Sequence, residues 1–216
     1  MKFPLLRLVW AAISIASIVG FDQARGQELL TNGGFATGNL TGWTFTPTAS
    51  AEPTIAGSVT TFMGSNAFRL NTGSNSAGVE AGGTLSQTIA LVAGQSYQVS
   101  AGKLAIASVN GSPNADGGTI TLSLGGAVLH TFDVGQLAAD EAKSDSYSAP
   151  FVAGATGPAL FEVLFTRSFP NFAATPAVHH YADDLSVTLL VPEPASGALA
   201  ALAVVAAIQQ RRSRRR

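Results

Sequence analysis

Two histidines and two acids stand within six residues near the end of the chain, His179-His180 and Asp183-Asp184. Paired carboxylates are the raw material of glycoside hydrolysis, where two acids act from opposite sides of one bond. Adjacent residues of an extended strand point to opposite faces, so Asp183 and Asp184 are not placed to flank one bond. Asp183 shares parity with Leu185, Val187 and Leu189, which directs it inward. A carboxylate there must be ion-paired, hydrogen-bonded or bound to a metal. As a turn brace it would accept backbone N–H groups. His179 and His180 diverge in the same way and have no third ligand at zinc spacing, so they are expected at an exposed loop end. His130 reads as a half-buried, hydrogen-bonded histidine on the apolar face of its strand.

Aromatic faces accept the apolar patches of sugars, which makes Phe169, Phe172 and Tyr181 a candidate stacking surface. The parity of Tyr181 favours the core, and Trp43 is expected to pack the sandwich edge. No Gly-x-Ser-x-Gly elbow and no lysine-bearing phosphate loop occurs. The absence of cysteine excludes thiol catalysis and disulfide staples. No catalytic residues are assigned, and the chain is read as a non-enzyme.

The elements that must position these residues are strands. Ile120, Leu122 and Leu124 alternate with Thr119, Thr121 and Ser123, the period of a strand with one buried face. Gly125-Gly126 supplies a tight hairpin turn into Val128, His130, Phe132 and Val134. Phe161, Val163 and Phe165 alternate likewise. Tyr97, Val99 and Ala101 share a face until parity breaks at Gly102-Lys103, where a bulge is expected. Further strands are read over Glu28–Phe35, Gly42–Thr46, Ser58–Met63, Ala67–Asn71, Thr84–Leu91 and Tyr147–Val152. Many short strands separated by glycine-rich turns imply an all-β fold, a β-sandwich of jelly-roll type. Its expected core is Leu85, Ile89, Tyr97, Val99, Ile120, Leu122, Leu124, Phe161, Val163, Phe165, Leu185 and Val187.

The two ends differ from this middle. Lys2 and Arg7 precede an apolar run from Leu8 to Phe21 and the small-residue site Ala24-Arg25-Gly26, the order of a secretion signal over residues 1–26. At the other end Val191-Pro192-Glu193-Pro194 precedes an apolar stretch from Ala195 to Ile208 and the cluster Arg211-Arg212-Ser213-Arg214-Arg215-Arg216. The prolines break any helix across the join. Fourteen helical residues reach about 21 Å against a hydrocarbon core of about 30 Å, a marginal membrane helix. The arginines hold its end on the cytoplasmic side. Between the ends, residues 27–190 carry four cations against eleven acids, a net charge of −7 although the whole chain reads −1. Nucleic acid is therefore disfavoured as a partner, because phosphate affinity needs clustered lysine and arginine.

Val191-Pro192-Glu193-Pro194, the short apolar helix and Arg211, Arg212, Arg214, Arg215 and Arg216 resemble the PEP-CTERM sorting signal of Gram-negative bacteria. The resemblance implies processing by an exosortase, transient insertion in the inner membrane, and delivery to the cell surface or exterior in polysaccharide-producing cells. Within the middle domain, Thr31-Asn32-Gly33-Gly34-Phe35-Ala36-Thr37-Gly38 with Gly42-Trp43, Leu85-Ser86-Gln87-Thr88 with Ala93-Gly94-Gln95-Ser96-Tyr97, and Tyr181–Val187 resemble carbohydrate-binding-module-like and galactose-binding-like jelly rolls. That resemblance implies a polysaccharide partner and, at Asp183, a structural calcium held together with a Gly-Phe-Glu turn. Here Ala36 stands where the glutamate would be, which removes one oxygen ligand from the six or more that calcium takes. The function expected is that of a non-catalytic surface or matrix protein that binds polysaccharide. A polysaccharide-active enzyme and a purely structural coat are the alternatives.

Overall fold

The computed structural model describes residues 26–48, 57–72, 80–109, 115–167 and 177–190. The signal segment, the sorting motif with its arginines, and Phe169 and Phe172 lie outside the described residues. The strands run in chain order as β1 (Thr44–Pro47), β2 (Gly57–Phe62), β3 (Ser65–Asn71), β4 (Ala81–Leu91), β5 (Ser96–Val109), β6 (Ala115–Asp116), β7 (Thr119–Leu124), β8 (Ala127–Asp133), β9 (Gln136–Leu137), β10 (Ala142–Val152), β11 (Gly157–Arg167) and β12 (Ala177–Leu189). Gln27–Leu190 is one compact unit. No helix among the described residues is long and apolar enough to cross a membrane.

Two five-stranded antiparallel sheets face each other, one ordered β1-β4-β11-β7-β8 and the other β10-β5-β12-β3-β2, with a small β6-β9 ladder beside them. Apart from the β2–β3 and β7–β8 hairpins, the connections among these ten strands pass from one sheet to the other, a pattern consistent with a jelly roll. In the first sheet alternation sets the core directly. Register places Val163 opposite both Leu85 and Leu122, and Phe161 opposite Leu124, so one row of inward side chains continues across three strands. All twelve residues expected in the core are buried. Phe68 packs on Phe165 at 5.1 Å between ring centroids, and Trp43 meets Phe161 edge-on at 6.0 Å. Trp43 is buried, as expected, and its Nε1 donates to the Asn32 carbonyl at 3.1 Å.

Two strand readings are corrected. Glu28–Phe35 forms only an isolated bridge, Glu28 to Thr188, followed by turns. Its glycines and the left-handed Asn32 and Phe35 turn the chain too sharply for a ladder. The segment is held to β12 instead by Leu29 N–H on the Val187 carbonyl and by the Glu28 carboxylate, which accepts the Val187 N–H. The β7–β8 hairpin turns through Gly125 and Gly126, both at positive φ as expected. Its register then slips so that Leu129 is the extra residue. Val128 therefore leaves the face of His130 and stands exposed.

Candidate functional site

Site geometry begins with a coordinated break in strand parity in the second sheet. Along β5, Tyr97, Val99 and Ala101 belong to the main core, and beyond the break so do Leu104 and Ile106. The step at Gly102-Lys103 is the bulge that the sequence announced. It shifts the register against β10 between Asp145 and Tyr147, so that two residues of β5 oppose Ser146, while β10 itself keeps its alternation. On β12 the same level is occupied by Asp184, whose φ of 53° is left-handed. Gly102 is required there, because a Cβ on it would lie 2.7 Å from the Asp184 Cβ.

This break overturns the orientation expected of Asp183. Val178 and Ala182 belong to the main core, whereas Tyr181 joins Ala67, Ala105 and Ala107 in a second cluster on the outer face of the sheet. Asp183 alternates with Ala182 and pairs with Lys103, so it shares the side of Tyr181. Left-handed Asp184 then flips the strand, and Leu185 and Val187 return to the core. Asp183 is nevertheless fully buried. Its Oδ2 accepts from Ser65 Oγ at 2.6 Å and lies 3.5 Å from Lys103 Nζ, while its Oδ1 accepts the Asp184 N–H at 2.8 Å. Lys103 Nζ in turn donates to Ser65 Oγ at 2.8 Å. It is the Asp184 side chain, not that of Asp183, that reaches the first turn at Gly34.

A cavity of about 390 Å³ opens at this level, lined by Met63, Gly102, Lys103, Ser144, Asp145 and Ser146. Met63, at the tip of the β2–β3 hairpin, is 69 % exposed and forms an apolar wall. Beside it Phe62 stacks on Tyr181 at 3.8 Å with the planes 10° apart. Tyr181 is thus buried, but in the outer cluster rather than in the sandwich core. Burial raises the pKa of its phenol above the usual value, a rise that nearby Arg69 opposes. The His179 Nδ1 lies 3.2 Å from the Tyr181 hydroxyl, and burial together with Arg69 lowers the histidine pKa.

The expected loop end at His179-His180 is corrected, because β12 begins at Ala177 and carries both residues in the sheet. His180 points into the interior, fully buried, edge-on to Phe165 at 6.1 Å. Its pKa is pushed down to about 3, first by desolvation and then by Arg167, against an opposing contribution from the Gly117 backbone. Neither ring nitrogen makes a well-formed hydrogen bond. His130 behaves as read. It is half-buried, with Nε2 2.8 Å from Asp145 Oδ2 and its ring stacked on Tyr147 at 5.2 Å. That contact joins the edge strands β8 and β10, one from each sheet.

Asp183 and Asp184 therefore point apart, and no three His, Asp or Glu side chains among the described residues are grouped to share a metal ion. The residues missed from sequence were Ser65, Met63, Ser144, Asp145 and Ser146. The only signal near them was the broken alternation at Gly102-Lys103.

No family model matches the chain, and no curated protein sequence does. Among solved structures, TmCBM61 in complex with β-1,4-galactotriose is similar at 17 % identity and a TM-score of 0.44, over 76 % of this chain and 99 % of that one. The N-terminal cellulose-binding domain of Cellulomonas fimi β-1,4-glucanase C is similar at 17 % identity and a TM-score of 0.37, over 77 % and 99 %. An arabinose-bound α-L-arabinofuranosidase is similar at 19 % identity and a TM-score of 0.46, over 78 % of this chain but 27 % of its own. At these TM-scores neither an architecture nor a residue role is carried over from them.

Proposed function

We propose that this chain is an exported, non-catalytic surface or matrix protein whose β-sandwich binds a neutral polysaccharide in the cavity beside Lys103. The supporting observation is the cavity itself, where β5 and β12 break parity at one level beside β10 and leave an open space of about 390 Å³. That volume lies in the range of small-ligand sites, about 300–1,000 Å³. Its wall joins hydroxyl and ammonium groups from Ser144, Ser146 and Lys103 to the exposed Met63 side chain. A sugar presents the matching pattern of hydroxyls around an apolar ring face. Lys103 is already neutralised by Asp183 and the domain is net acidic, so an uncharged glycan suits the site better than an anionic one. The carbohydrate-binding modules among the structural neighbours agree with this reading in kind. Residues 1–26 would direct export, and Val191–Arg216 would be the substrate of an exosortase, removed near Pro192–Pro194 after transient insertion in the inner membrane.

Affinity electrophoresis through gels containing neutral or acidic polysaccharides tests the binding. Retardation by a neutral glycan is expected, and Ser144→Tyr should abolish it at unchanged melting temperature by filling the cavity. Equal mobility in every gel would reject polysaccharide binding and leave the structural coat. That second reading rests on one observation: among the described residues, the strongly exposed apolar side chains include no aromatic ring.

A further inference from the structure

The calcium implied at Asp183 can be tested against the groups that surround this carboxylate. Calcium takes six to eight oxygen ligands, with carboxylates and carbonyls turned toward the ion. Around Asp183 the neighbours are turned the other way. Ser65 Oγ and the Asp184 N–H donate to its two oxygens, and Lys103 brings a positive charge to 3.5 Å. Ser65 completes a short relay, accepting from Lys103 while donating to Asp183. An ion entering here would have to displace these donors and sit against an ammonium. The first turn adds no carboxylate oxygen. Ala36 has none in its side chain, and the Phe35 carbonyl accepts from Asn66 Nδ2 at 3.2 Å. The second carboxylate of the pair is turned away by the left-handed backbone at Asp184 and lies against Gly34 and Gly102.

We propose that Lys103 is the resident cation of this fold, its ammonium closing the buried Asp183 site through Ser65 in place of a divalent metal. The residues do not fit calcium, and the domain folds independently of it. A carboxylate with no exposed surface needs a compensating positive charge, and β5 delivers one directly opposite, in register with Asp183. The bulge is what makes this placement work. Without the parity step at Gly102-Lys103, a lysine in phase with Ala101 would enter the hydrophobic core. With it, Lys103 lies on the outer face, keeps part of its side chain in solvent and still reaches Asp183. The device is independent of sugar binding, although Lys103 also lines the cavity.

The test uses the full-length chain in mild detergent. Isothermal titration with millimolar calcium, the affinity range of extracellular modules, should show no binding. Thermal melts with calcium and with chelator should superimpose. A saturable one-to-one calcium isotherm lost in Asp183→Asn, or a chelator-lowered midpoint, would overturn the proposal. The second arm addresses the lysine. Lys103→Met should lower the melting midpoint, and the double variant Lys103→Met/Asp183→Asn should recover much of that loss, because the uncompensated charge is then removed. A Lys103→Met midpoint equal to wild type, or a double variant with the additive loss of the two singles, would equally overturn it. If Lys103→Met does not fold, Lys103→Arg keeps the charge and should fold, and failure of both would count against a charge-based role.

Discussion

Strand β12 buries two polar groups three residues apart, on opposite faces of one sheet, and treats them in opposite ways. At Asp183 the charge is kept, with hydrogen-bond donors on both oxygens and the Lys103 ammonium across the strand. At His180 the charge is refused. The ring stays neutral over most of the accessible pH range, its nitrogens lack well-formed hydrogen bonds, and Ser108 on the adjoining strand buries a hydroxyl that has no partner either. The difference is one of supply. The outer face lies near loops and solvent, so a long flexible lysine can reach in. The inner end of the sandwich is walled by Phe165 and the fully buried Arg167, whose Nε donates to the Asp116 carbonyl at 2.8 Å. A second positive charge beside that guanidinium would be repelled, which leaves protonation of His180 as the state the fold avoids.

The largest expected effect comes from acid. The folded pKa of His180, about 3, lies below its ordinary 6.5. Between those values the unfolded chain binds a proton that the folded chain does not. Stability from this group is therefore complete above about pH 6.5 and is lost as pH falls toward 3, by up to roughly 5 kcal/mol. Urea melts from pH 7 to pH 4 should show a shallower loss for His180→Leu than for the wild type. Parallel curves would mean that the ring is hydrated in solution and that the two ends of the strand are alike.

Next in size is the wall of that site. Phe165→Ala removes a ring packed on Phe68 and His180 and should cost about 3–5 kcal/mol in denaturant unfolding, from lost transfer energy and a residual cavity. A cost below about 1 kcal/mol would show that the inner end is loosely packed.

The carboxylates give a smaller, discriminating effect. Asp183→Asn leaves Lys103 without its counter-charge and should cost about 1–3 kcal/mol. Asp184→Asn, at an exposed left-handed position that asparagine tolerates, should cost less than about 1 kcal/mol. Equal effects would reject the parity flip between the two residues.

The smallest pair sets serine against serine. Ser65→Ala breaks the relay between Lys103 and Asp183 and should cost about 0.5–1.5 kcal/mol. Ser108→Ala removes a hydroxyl that satisfies nothing and should be neutral within about 0.5 kcal/mol or slightly stabilising. A costly Ser108→Ala would reveal a partner, such as an ordered water, at the inner end.

What was legible in the sequence follows the same division. Alternation over β4, β7 and β11 identified Leu85, Ile120, Val163 and Phe165 as core, because a two-residue period allows only one face to be apolar. The break at Gly102-Lys103 was also legible, since glycine stands where the alternation fails. The matching break at Asp184 was not. Asp183 and Leu185 are two apart, and nothing local says that the residue between them is left-handed. That state is accommodated by Gly102 on the neighbouring strand, where a Cβ would meet the Asp184 side chain. His180 was read as exposed because the start of β12 is polar and follows a loop, yet pairing with both β3 and β5 carries it into the sheet.

The sequence by itself determined an all-β chain with a core of alternating apolar residues, a disulfide-free acidic middle and two terminal segments that resemble export and sorting signals. These are properties of residue type and short spacing, which local sterics and the hydrophobic effect read without long-range information. Tertiary structure alone decided that Asp183 would meet Lys103 and Ser65, that Asp184 would lean on Gly102, and that the parity breaks of β5 and β12 would fall at one level beside β10 and open a cavity. Each of these joins strands separated by tens of residues, and register, which only the assembled sheet sets, determines which side chains face one another.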